Sequence, residues 1–196
     1  RRFAEEILAV FLPMLLAITA IFVVFMPFFI ALIVPDNWGA DTGKTEWAVA
    51  MSRITMPYLV FICLLSLVSG VLNSLGRFAA AAFAPALLNI ALVTALILVP
   101  EGGRPTVQAM CWAVVAGGAA QLGLTWANMV RAGVPLKLRA PRITPGVREL
   151  FFLVLPATLA GGTYYISQFF YGYFPTRLPL GSLLILVQAA RLTHLS

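Results

Sequence analysis

Acidic side chains are scarce in this sequence: seven aspartates and glutamates stand against thirteen lysines and arginines, with one histidine and two cysteines in 196 residues. Each shortage removes a class of function. His194 has no Cys/His cluster around it, and Cys63 and Cys111 fall inside apolar runs with no C-x-x-C. Zinc and redox chemistry therefore have nothing to stand on, no cofactor is expected, and the cysteines read as small apolar fillers. Catalysis is no better supplied. Glu149 stands at the border of an apolar run and no carboxylate lies within one; there is no His-Asp-Ser set and no glycine-rich phosphate loop after a strand. General acid-base or nucleophilic work needs such groups within hydrogen-bonding reach, so the chain is not expected to be an enzyme.

What the sequence has in abundance is apolar surface. Hydrophobic residues make up 61% and charged residues 10%, with a mean hydropathy of +0.97. A soluble domain carries roughly 25% charged residues. The fold class expected is all-α, a polytopic transmembrane helical bundle. The net charge of +6 does not imply nucleic acid, because the cations sit in connections between apolar runs, where they record membrane orientation. The chain starts Arg1-Arg2-Phe3 without an initiator Met and ends at Ser196 inside an apolar segment. It shows no cleavable signal peptide, and a piece of a longer protein is expected.

Five full spans and the start of a sixth are expected, at about 7–34, 54–73, 78–99, 106–130, 149–174 and 183–196. A helix needs roughly 20 residues to cross the hydrocarbon core. The first run exceeds that length, so it should tilt or bend, and Pro13 and Pro27 each remove a backbone donor. A loop from Asp36 leads to a short surface helix over Thr45–Arg53, with Trp47 at headgroup depth. The second and third runs form a hairpin around Asn73-Ser74-Leu75-Gly76-Arg77, where Gly76 can take the positive φ of a helix C-cap. Ser66-x-x-x-Gly70 and the alanines 79–82 and 84 would allow close helix approach, and Asn89, Gln121 and Asn128 are expected to face protein. The fifth run is expected to break at Pro156 and Gly161-Gly162. Its second half, which includes Tyr164 and Gln168, is rich in hydroxyls and amides, costly against lipid, and should line either neighbouring helices or a wet cavity.

Alternating the connections places Arg1, Arg2, Arg77, Arg131, Lys137, Arg139, Arg142 and Arg148 on one side, and Lys44, Arg53, Arg104 and Arg177 on the other. The positive-inside rule puts the first group, and the amino end, in the cytoplasm. Arg191 stands apart from both groups. It lies about nine residues into the last apolar run, where an arginine is costly unless it snorkels, begins its helix later, or faces a water-filled cavity or an anion. Its fork of donors suits phosphate.

The stretch MPYLVFICLLSLVSGVLNSLGRFAAAAFAPALLNIALV resembles the MurJ/MviN lipid II flippases of the multidrug/oligosaccharidyl-lipid/polysaccharide exporter superfamily. It matches their Pro-Tyr (Pro57-Tyr58), Gly-x-x-Asn (Gly70 to Asn73) and Arg-Phe-x-x-x-Ala-x-Ala-Pro-x-x-x-Asn (Arg77 to Asn89) patterns. The resemblance implies helices three to seven and part of eight of a fourteen-helix exporter. It implies a multi-pass protein of the bacterial cytoplasmic membrane that carries lipid II, an undecaprenyl-pyrophosphate-linked precursor, between leaflets by alternating access. The partners implied are lipid II, membrane lipids and the remaining helices of the same protein. Arg191 matches the arginine of the family's Ala-Asp-Arg motif, and the resemblance assigns it to pyrophosphate in a cationic cavity. Ala190 replaces the aspartate, His194 stands where some members have Glu, and Ser196 where Pro is usual. Gln168 and Tyr164 are weaker candidates for the cavity wall. A related exporter of drugs or polyprenyl-linked sugars, or an inactive remnant, are the alternative readings.

Overall fold

The computed structural model describes residues 2–33, 42–100, 102–137, 140–141 and 144–173, with the backbone course alone at 42, 157 and 160 and over 164–173. Among the described residues the chain is all helix and coil, without a strand. The helices are α1 (Arg2–Val24), α2 (Met26–Ile33), α3 (Thr42–Thr55), α4 (Tyr58–Ser74), α5 (Ala79–Leu98), α6 (Gly103–Arg131) and α7 (Pro145–Tyr173). The turn expected at Pro175–Ser182 and the sixth span lie outside the described residues. Among the described residues, four stretches are long and apolar enough to cross a membrane: Arg2–Val24, Gly43–Ser74, Ala79–Leu98 and Gly103–Arg131. This is a polytopic helical bundle.

The first run divides in two. α1 continues through Pro13, and the break falls at Phe25, just ahead of Pro27. The surface helix extends further than its expected Thr45–Arg53, from Thr42 to Thr55, and a turn at Met56–Pro57 passes it on to α4. α4 ends on a Schellman motif: Gly76 has φ +72°, its N–H donates to Asn73 O, and Arg77 N–H donates to Leu72 O. α6 closes in the same way, with Gly133 at φ +77°, Gly133 N–H on Val130 O and Val134 N–H on Met129 O. The Thr106 hydroxyl donates to Val99 O at 2.8 Å and ties the start of α6 to the end of α5.

α6 organises the bundle. Its buried residues Gly117, Gly118, Gln121, Thr125 and Met129 recur every three or four positions and form one stripe. Both limbs of the hairpin lie against α6, α5 most extensively and then α4, whereas the limbs touch each other sparsely. The close approach occurs at the two glycines. A Cβ on Gly117 would lie 2.9 Å from Leu88 Cδ1, and one on Gly118 would lie 2.6 Å from Tyr58 Cδ2. Ser66 and Gly70, the expected close-contact pair, are exposed, with open space beside Gly70. Ala84 is buried as expected. In this part of the protein Asn89 is exposed: α5 turns Leu88 and Ala91 toward Gly117, and Asn89 lies one residue round the helix from Leu88. Leu8, Val68, Leu72, Met129 and Leu136 form a buried cluster where α1, α4 and α6 converge.

Candidate functional site

α7 is the helix on which two of the candidate cavity residues fall, and its geometry differs from expectation. It runs without interruption from Pro145 to Tyr173, through Pro156 and Gly161-Gly162. Proline removes one N–H and leaves the rest of the ladder intact, and glycine adds no steric obstacle, so neither compels a break. Tyr164 and Gln168 lie four residues apart, on one face of this helix; their side chains lie outside the described residues, as does Arg191. The hydroxyls just before them bond their own helix, Thr158 to Val154 O and Thr163 to Leu159 O. Phe152, Leu153, Leu155 and Leu159 are all exposed, and α7 makes its most extensive contact with α1.

Two hollows flank the base of α7. An apolar groove of about 600 Å³ lies between α1, α4 and α7, with Val10, Phe11, Cys63, Leu67, Leu150 and Phe151 in its wall. A shallow, open recess of about 540 Å³ is lined by Thr144, Pro145, Arg148, Glu149 and Phe152, with the Arg148 guanidinium 5.6 Å above the Phe152 ring. The recess adjoins the basic connection between α6 and α7, of which Arg139 and Arg142 lie outside the described residues.

The first turn of α1 meets that connection. Glu5 is 2% exposed and its Oε1 accepts from Lys137 N–H at 3.4 Å. Glu6 Oε2 accepts from the Thr144 hydroxyl at 2.9 Å, and its Oε1 accepts from Arg2 Nε at 3.3 Å. Phe3 packs on Gly146 so closely that a Cβ there would lie 3.1 Å from Phe3 Cε2. These groups escaped the sequence reading, though one signal was present. Glu5 and Glu6 are adjacent carboxylates at the start of the first apolar run.

Inside the bundle, Gln121 is the buried amide between α5 and α6. Its Nε2 donates to Ala84 O at 2.8 Å, while its Oε1 has no hydrogen-bond partner among the described residues. Asn128, the other amide expected to face protein, is half-buried and donates to Leu124 O of its own helix at 2.8 Å.

The family model described as lipid II flippase MurJ matches residues 1–196. The chain is 36% identical over 165 residues to the probable lipid II flippase MurJ of Rhizobium meliloti (strain 1021), covering 83% of this chain and 31% of that protein. It is 41% identical over 126 residues to the lipid II flippase MurJ of Burkholderia cenocepacia, covering 62% and 24%. A third relative, the probable lipid II flippase MurJ of Bdellovibrio bacteriovorus, is 28% identical over 195 residues, covering 100% and 37%. The chain thus spans about a third of the length of the curated relatives it matches.

Proposed function

The chain belongs to the lipid II flippase MurJ family, and from that premise we propose that it is part of a carrier moving lipid II from the inner to the outer leaflet of the bacterial cytoplasmic membrane. The observation that carries this reading is the family match across all 196 residues. In this reading the apolar stretches 7–34, 54–73, 78–99, 106–130, 149–174 and 183–196 cross the bilayer in turn, the amino end lies in the cytoplasm, and the remaining helices of the parent complete the chamber.

Arg191 grips the pyrophosphate, since a guanidinium offers paired donors to phosphate oxygens and avoids lipid when it faces an anion. Tyr164 and Gln168 stand one turn apart and supply polar wall to the same chamber. The precursor's polar head crosses through this chamber while its polyprenyl tail stays in the membrane. Alternating access of this kind needs both halves of a transporter around one site, so activity belongs to the whole parent.

Depletion of the parent in growing cells tests the proposal. Lipid II should become inaccessible to reagents that act on the outer leaflet, and re-expression should restore access. Undiminished translocation after depletion rejects it.

A further inference from the structure

We propose that Glu5 and Glu6 are positioning residues that latch the α6–α7 connection onto the first turn of α1 and so fix where α7 starts beside α1. The geometry is specific. Two consecutive carboxylates hold two points of one connection, Lys137 N–H and the Thr144 hydroxyl, across 132 and 138 residues of sequence. Phe3 adds an apolar contact at Gly146, and Leu136 and Val147, at 6% and 2% exposure, bury the chain on either side of the latched segment.

α7 packs most extensively on α1. Tyr164 and Gln168 lie toward its far end. The latch therefore sets where the polar half of α7 stands relative to α1.

The role in transport rests on the function proposed above; the latch itself is measurable without it. In the full-length parent, hydrogen exchange over residues 132–146 and translocation of lipid II in proteoliposomes are followed together. Glu6→Ala and Thr144→Val should each speed exchange of the connection about tenfold, the effect of losing one hydrogen bond to a charged acceptor. Both should slow translocation at saturating lipid and leave the half-saturating concentration unaltered. The double variant should be no worse than either single one, because both remove the same bond. Glu6→Gln and Thr144→Ser, which keep an acceptor and a hydroxyl, should behave as wild type. Glu5→Ala should release the Lys137 amide and Glu5→Gln should not.

Unchanged exchange in Glu6→Ala and Thr144→Val overturns the latch, and faster exchange with wild-type translocation overturns its role in transport. Should Glu6→Ala fail to fold, Thr144→Val reports the same bond from the other side. A wild-type parent that translocates no lipid II defeats the function proposed above, while the exchange measurements still decide the latch.

Discussion

The Arg53 guanidinium donates from Nε to the main-chain carbonyl of Val23 at 3.0 Å, across 30 residues of sequence. Val23 O is the acceptor that the N–H of residue 27 would satisfy in an unbroken helix, and residue 27 is proline. The arginine fills the vacancy left by the proline, and α3 is thereby fastened to the break between α1 and α2. Arg53→Met should lower thermal stability by about 1 kcal/mol, the net value of one hydrogen bond. Pro27→Ala supplies the missing N–H, so the double variant should lose less than Arg53→Met does alone. Thermal unfolding in detergent checks the pair, and strictly additive losses would refute the assignment.

The stripe on α6 makes an equally direct prediction. Gly118→Ala drives a methyl into the Tyr58 ring and should cost about 1–3 kcal/mol, the usual penalty of overpacking. Gly123→Ala on the same helix meets nothing within 4 Å and should be neutral or stabilising by up to about 1 kcal/mol. Equal effects at the two sites would show that the α4–α6 contact is looser than the structure has it.

Gln121 separates hydrogen bonding from burial. Gln121→Met gives up the bond to Ala84 O but also removes the buried Oε1, and should change stability by less than about 1.5 kcal/mol. Gln121→Glu puts a carboxylate between two helices and should cost more, about 3 kcal/mol or above, unless it takes up a proton. A Glu variant as stable as wild type at neutral pH would mean that water reaches this position.

Orientation is testable with single cysteines in a background lacking Cys63 and Cys111. Arg104→Cys, in the connection between α5 and α6, should react with a membrane-impermeant thiol reagent in intact cells. Arg142→Cys, in the basic connection, should react only after the cells are permeabilised. The reverse pattern would invert the proposed topology.

Composition and local chemistry made the helical class, the membrane setting and the cap at Gly76 legible, because a residue with positive φ after a polar turn and an uncharged run both leave local marks. The same mark stands at Arg131-Ala132-Gly133, and the second Schellman motif could have been read from it. Partner choice left no such mark. Ser66/Gly70 and Gly117/Gly118 are equally small, and which pair meets a neighbour depends on how three helices are placed. Asn89 shows the limit from another direction: that Leu88, and not its neighbour Asn89, meets Gly117 is a tertiary outcome. Pro156 misled because a proline in a membrane helix removes a single donor and does not by itself end the helix. Glu5 and Glu6 were overlooked because their partners stand more than 130 residues away.

The position of α6 between the hairpin limbs has a consequence for biogenesis. Helices leave the insertion machinery in chain order, so α4 and α5 reach the lipid before the helix that each of them fits. Tyr58 and Phe61 on one limb, and Leu88 and Ala91 on the other, then face acyl chains until Gly117 and Gly118 arrive. Because the two limbs touch each other sparsely, the third helix supplies most of the packing that completes the hairpin. A nascent chain stalled before residue 103 should accordingly be an easy substrate for membrane quality control.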